Sequence, residues 1–324
     1  MSLPADLAER LSLPLIAAPM FLVSGVDLVV AACVEGTIGS FPTVNCRSTD
    51  ELDSWLTEMR WRIADGEQTA GRRAAPICPN LIVHRSNRRL ADDLAVVIRH
   101  GIDLVIASVG SPAPVIGPLH DAGCRVFADV ASVRHAEKAI EAGSDGLVLL
   151  TAGAGGQTGW ANPFAFARAV RAIWDGPMAM AGGISDGRAL WAAKALGCDL
   201  AYMGTKFIAT RESMAKPAYK DMLVASRLDD VKLTRAFTGL ETNMLRPSIV
   251  AAGLDPENLP VRGVIDIGKD IDRAEREKAE AADPKRWKDI WSAGHSVSGV
   301  RGVETVAGLI AATRVEYEAA RADV

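Results

Sequence analysis

Eight short apolar runs, alternating with longer segments whose apolar residues recur three and four apart, predict an α/β chain folded as a (β/α)8 TIM barrel with a small C-terminal helical cap. An open doubly wound sheet gives the same alternation. Two observations favour the closed barrel. The strand count is the barrel number, and glycine turns follow the seventh and eighth runs, where barrels bind phosphate. A length of 324 residues suits one such unit with an appendage.

The predicted strands are 14–19, 37–41, 77–83, 102–107, 125–129, 146–150, 178–181 and 200–203. Helical periodicity marks 48–63, 87–100, 133–142, 163–174 and 186–196, several of them stopped by a glycine such as Gly101, Gly143 or Gly197. After the eighth run the rhythm breaks. Residues 207–300 hold helix-like segments, a Pro/Gly-containing stretch at 246–263 and a charged run at 269–288, whose alternating signs read as a solvated helix face. An apolar periodic segment at 303–317 reads as a last helix that either caps the barrel or meets a partner. The expected division is therefore a barrel core at 1–207, a cap or insert at 208–300, and a returning helix at 301–324.

Hydrophobic residues make up 49% of the chain and charged ones 23%, enough to bury a large core under a polar surface. The net charge of −4 and the lack of any basic run argue against nucleic acid as a partner. Cys33, Cys46, Cys78, Cys124 and Cys198 form no C-x-x-C pair and read as reduced, structural side chains. No His/Asp/Glu cluster has metal-ligand spacing. No signal-like segment and no run of about 18 apolar residues is present, so the expectation is a cytoplasmic protein with no membrane partner.

Barrel chemistry sits at the C-terminal ends of the strands, so the residues just after each run carry the information. Gly182 and Gly183 follow the seventh run, and Gly204 and Thr205 the eighth. Backbone N–H groups at such turns approach a phosphate, with helix N-termini adding a favourable dipole. The sixth run leads into TAGAGGQTGW at 151–160, a flexible, close-approach loop containing Gly155 and Gly156 that does not fit the dinucleotide G-x-G-x-x-G spacing. Ala18, Met20 and Asn80 close earlier runs and are expected at the barrel mouth. His100, His120 and His135 read as surface residues, while His84 and His295 fall near the mouth. Trp160 is a candidate wall of the pocket, and Trp55, Trp61 and Trp174 are candidate core residues.

Five motifs in order carry a family resemblance: AAPM at 17–20, PNLIVH at 79–84, GSDGLVLLTAGAGGQTG at 143–159, AGGIS at 181–185 and MGTKF at 203–207. From about residue 13 to 207 the chain resembles the nitronate monooxygenase (2-nitropropane dioxygenase) family, which is related to flavin-dependent enoyl-acyl-carrier-protein reductases. The resemblance implies FMN across the barrel mouth. Its phosphate would lie on Gly182, Gly183, Gly204 and Thr205, its ring against Ala18, Met20 and Asn80, and Gly155 and Gly156 beside it.

One departure matters for chemistry. The family's loop reads A-G-G-H, with the histidine as catalytic base, whereas this chain has Gln157 there. A glutamine amide exchanges hydrogen bonds but takes no proton at neutral pH. Conversely, where the family shows A-G-Q, this chain has His295, and the exchange suggests that His295 points into the site and compensates. A nitronate is already deprotonated and needs no base, so the resemblance implies an FMN-dependent oxidoreductase that oxidises alkyl nitronates with O2, Gln157 orienting the nitro oxygens. The alternative is an NAD(P)H-dependent FMN reductase of quinones or enoyl thioesters. Either way the partner is a small molecule, a nitronate or a conjugated carbonyl, and monomer and homodimer both stay open. A nucleotide dehydrogenase needs a cysteine in the sixth loop, and 146–160 has none. A non-catalytic flavin binder is the remaining competitor.

Overall fold

The computed structural model describes residues 3–259 and 289–323. Eight parallel strands close into a barrel: β1 (Leu15–Ala17), β2 (Ile38–Pro42), β3 (Ile77–Ile82), β4 (Leu104–Ser108), β5 (Arg125–Val130), β6 (Gly146–Leu150), then β8 (Met178–Ala181) and β9 (Leu200–Met203), which pairs back with β1. The strands are covered on both faces, which is why they read as nearly continuous apolar runs. Ile16, Ile38, Cys78, Ile106, Phe127, Val148, Ala179 and Leu200 fill the interior, and the one-turn helix α1 (Ala5–Ala8) adds Leu7 to this cluster. Alternate residues, such as Leu147, Leu149, Met178 and Met203, pack outward beneath the helices.

The helices between strands are α2 (Val26–Val34), α3 (Thr49–Ala70), α4 (Leu90–Arg99), α5 (Ala113–Asp121), α6 (Val133–Glu141), α7 (Pro163–Arg171) and α8 (Gly187–Ala195). Side-chain caps fix several starts: Ser48 accepts from the Glu51 N–H, Ser132 from His135, Asn162 from Phe164 and Asp186 from Ala189. Of the tryptophans expected in the core, Trp55 packs against Phe41 and Trp174 against the core, but Trp61 is 71% exposed on the outer side of α3. A 22-residue helix has more turns than the barrel can cover, so an aromatic on it reaches solvent. All five cysteines are free and buried.

After β9 come α9 (Thr205–Ile208), α10 (Pro217–Ala225), β10 (Val231–Thr234), β11 (Thr242–Leu245), α11 (Arg246–Ala251) and the last helix α12 (Val306–Ala322). The region above the mouth thus adds a sheet to its helices: β10 and β11 form an antiparallel pair, and β11 also pairs with β7 (Gly156–Gln157) of the sixth loop. α12 packs along α8 and touches α2, with Tyr317 edge-on to Trp191 at 5.9 Å. The charged run at 269–288 and residues 260–263 lie outside the described residues. No helix among the described residues is long and apolar enough to cross a membrane.

Candidate active site

A cavity of about 490 Å³ opens at the C-terminal ends of the strands, a volume typical of small-molecule and cofactor sites. Its floor follows from strand alternation. One step above the interior layer, the inward positions Ala18, Asn80, Ser108, Asp129, Leu150, Ala181 and Tyr202 all line the cavity, as does Pro42, two steps above Ile38 at the end of β2. Phe21, Leu22, Ile208, Met214, Met244 and Trp291 make an apolar upper wall. Tyr219 stacks on Trp291 with ring centroids 5.0 Å apart, and its buried hydroxyl, pushed up to about 12 by desolvation, donates to the Ser292 carbonyl.

At one end of the cavity the turns after β8 and β9 lie side by side. Among the described residues, no protein acceptor meets the backbone N–H of Gly182, Gly183, Ile184, Gly204 or Thr205, and all five residues line the cavity. Backbone donors left unpaired in a folded chain are satisfied by water or by a ligand, and a cluster of them favours an anion. Gly182 and Gly183 have φ of +116° and +77°, open to glycine, and a Cβ on Gly183 would meet no protein atom within 4 Å. The Thr205 hydroxyl accepts from the Gly294 N–H at 2.9 Å, leaving its own hydrogen to donate. Of the two helix N-termini expected to contribute, that of α8 is partly engaged within the protein and that of α9 is short. The first turn of α8 is occupied by the Asp186 cap and by the Glu316 carboxylate on the Gly187 N–H at 3.0 Å, and α9 is a single turn.

The loop after β6 makes the close approach the sequence suggests, but it is pinned rather than loose. The Thr151 hydroxyl donates to the Ala181 carbonyl at 2.7 Å, the Thr158 hydroxyl to the Thr151 carbonyl at 2.8 Å, and the Asn243 amide to the Ala154 carbonyl at 2.7 Å. Gly155 lies so close to the 293–295 turn that a Cβ there would be 2.7 Å from the Gly294 nitrogen. The loop carries Gly155, Gly156 and the exposed Gln157 into the cavity wall, with Gln157 opposite Thr242 in the β7–β11 pairing.

Ten of the eleven site residues named from sequence are brought together around this one cavity: Ala18, Met20, Asn80, Gly155, Gly156, Gln157, Gly182, Gly183, Gly204 and Thr205. His295 is not. Its N–H donates to the Gly153 carbonyl at 2.9 Å, and its exposed imidazole lies over Gly153 on the outer side of the loop, while the next residue, Ser296, lines the cavity. Trp160 is 76% exposed and does not line the cavity, and His84 is turned to the Ser86 hydroxyl at 2.7 Å.

Three polar floor residues went unnamed at the sequence level. Ser108 donates to the Asn80 Oδ1 at 3.1 Å while the Asn80 amide donates to the Ile106 carbonyl at 3.1 Å, so this pair is internally satisfied. Tyr202 is partly buried, and desolvation raises its hydroxyl well above the usual tyrosine range. Asp129 carries a solvent-shielded Oδ1 with no partner, and desolvation pushes its carboxyl up to about 7. A charged residue inside the run VFADV, in phase with inward-facing Phe127, is the signal that marks it. The two non-glycine residues with positive φ among those described, Leu22 at 59° and Val109 at 60°, also line the cavity, and such strain concentrates at ligand sites.

The nitronate monooxygenase family model matches residues 6–312. The chain belongs to the nitronate monooxygenase family. A nitronate monooxygenase of Paraburkholderia phytofirmans is 30% identical over 209 residues, covering 60% of this chain and 57% of that protein. The chain spans about half the length of the curated relatives it matches first. Two solved structures share the fold: nitroalkane oxidase from Streptomyces ansochromogenes, with a TM-score of 0.81 at 22% identity over 99% of this chain and 100% of that one, and FabK from Thermotoga maritima, with 0.79 at 23% over 98% and 96%.

Proposed function

We propose that this chain is an FMN-dependent oxidoreductase that oxidises alkyl nitronates with O2. The observation that carries the reading is the cluster of five acceptor-less N–H groups at one end of a cavity large enough for a mononucleotide, in a chain of this family. Gly182, Gly183, Gly204 and Thr205 hold the phosphate. Ala18, Met20 and Asn80 lie against the ring, and Gly155 and Gly156 let the loop backbone approach it. FMN, when bound, supplies the electron-accepting and oxygen-reacting chemistry.

The chain's own contribution is binding and orientation. Gln157 presents an amide whose N–H groups donate to the nitro oxygens of a substrate that arrives already as the anion. No general base is required of it, and the apolar upper wall excludes water around the reacting atoms. Neutral nitroalkanes, which must first lose a proton, are poor substrates.

The test is an anaerobic absorbance titration of the FMN-loaded protein with an alkyl nitronate and, separately, with NAD(P)H. Bleaching of the flavin bands by the nitronate, reversed on admitting O2, is expected. Bleaching by NAD(P)H and not by nitronate would replace this reading with the reductase of quinones or enoyl thioesters.

A further inference from the structure

We propose that Asp129 is the chain's polar contact to the flavin ring, a neutral carboxyl that donates a hydrogen bond from the barrel floor to an acceptor on the ring edge. The inference rests on the FMN reading of the cavity. It starts from placement. The phosphate turns end β8 and β9, and in the cyclic strand order β1-β2-β3-β4-β5-β6-β8-β9 the strands directly across the barrel from them are β3 and β4, with β5 next to β4. A planar group extending from those turns across the mouth ends over Asn80 and Ser108, with Asp129 of the adjacent strand β5 beside them at its edge.

Of these three, two are already paired with each other and with the Ile106 carbonyl. No hydrogen bond reaches the Asp129 carboxyl among the described residues, and its Oδ1 is shielded from solvent. A sheltered polar group that holds nothing else in place is unusual in a folded chain, and the common reasons are a ligand or a water at that spot.

Its surroundings fix the protonation state. The titratable groups that face it are Cys78 of β3 and Tyr202 of β9, and burial keeps both in their neutral forms. β4 and β6, its two sheet neighbours, present Ser108 and Leu150. Desolvation alone raises the carboxyl to about 7, with no cation acting on it. Lys216, which also lines the cavity, is half exposed and pairs with Asp289 at 3.3 Å. A phosphate dianion entering the same cavity disfavours a second negative charge, and an oxidised flavin ring offers mainly acceptors. The proton therefore stays on Asp129 and is shared with the ring.

The experiment is equilibrium binding of FMN to the apo-protein by quenching of flavin fluorescence between pH 6 and 8.5, for wild type, Asp129→Asn and Asp129→Leu. In wild type the Kd is expected to rise above pH 7, approaching tenfold per unit as the carboxyl loses the required proton. Asp129→Asn, a neutral donor of the same shape, should hold its Kd within about twofold over that limb. Asp129→Leu should be equally flat but about tenfold weaker than Asp129→Asn, the loss of one hydrogen bond. Parallel pH dependence in wild type and Asp129→Asn would overturn the assignment, as would equal affinity of the Leu and Asn variants. Failure of folded wild type to bind FMN at any pH would instead remove the FMN reading, and the inference with it.

Discussion

Gly155 and Gln157 are two residues apart and do different work. Gly155 exists so that the sixth loop can touch the 293–295 turn: a Cβ at that position would sit 2.7 Å from the Gly294 nitrogen, and backbone on both sides leaves little room to yield. Gly155→Ala is expected to cost about 1–3 kcal/mol, read as a lowered midpoint in denaturant melts, and to weaken FMN binding by displacing the loop. In the proposed function Gln157 decides which substrates react. Gln157→His restores a side chain that takes a proton near neutral pH, so turnover of neutral nitroalkanes should rise by about a hundredfold or more, with a limb that increases with pH through the histidine range. Initial rates with a nitroalkane and its nitronate across pH check this. Nitronate turnover should change much less, because that anion asks for no base.

At the scale of elements, α12 shows how a distant segment supports the site. It buries Leu309, Ile310 and Tyr317 against α8, whose Gly187 lets the backbone at Thr313 and Tyr317 approach closely, and α8 follows directly on the Gly182–Gly183 turn. Leu309→Ala should cost about 2–5 kcal/mol in chemical denaturation. The same scale explains what the sequence makes legible. Every barrel strand is visible because burial on both faces turns it into a nearly continuous apolar run. α2 and α5 carry weaker signals: VDLVVAACV is apolar nearly all round, and Pro118 interrupts the pattern of α5. β7, β10 and β11 are two to four residues long, and their pairing depends on chain segments far apart in sequence. The glycine turns were legible because backbone approach demands that residue type. The direction of His295 was not, since a shift of one residue in a short turn decides whether His295 or Ser296 faces the cavity.

For the whole molecule, the desolvated carboxyl on the barrel floor links stability to pH. Desolvation pushes the Asp129 carboxyl up to about 7 in the folded chain from an ordinary value of 3.8, so the folded state binds the proton more tightly than the unfolded one. Relative stability is therefore full below about pH 4, is lost as pH rises through the window from 4 to 7, and is constant above it. In the apo-protein, Asp129→Asn should match wild type near pH 4 and exceed it by up to about 4 kcal/mol above pH 7, measured by denaturant melts over that range. The central claim concerns the other end of the same cavity, where the five backbone N–H groups without a protein acceptor are proposed to hold the FMN phosphate. Its most direct test compares the affinity of the apo-protein for FMN with that for riboflavin, which has the same ring and chain but no phosphate. The account predicts FMN binding at least a hundredfold tighter, about 2.7 kcal/mol; equal affinities would contradict it.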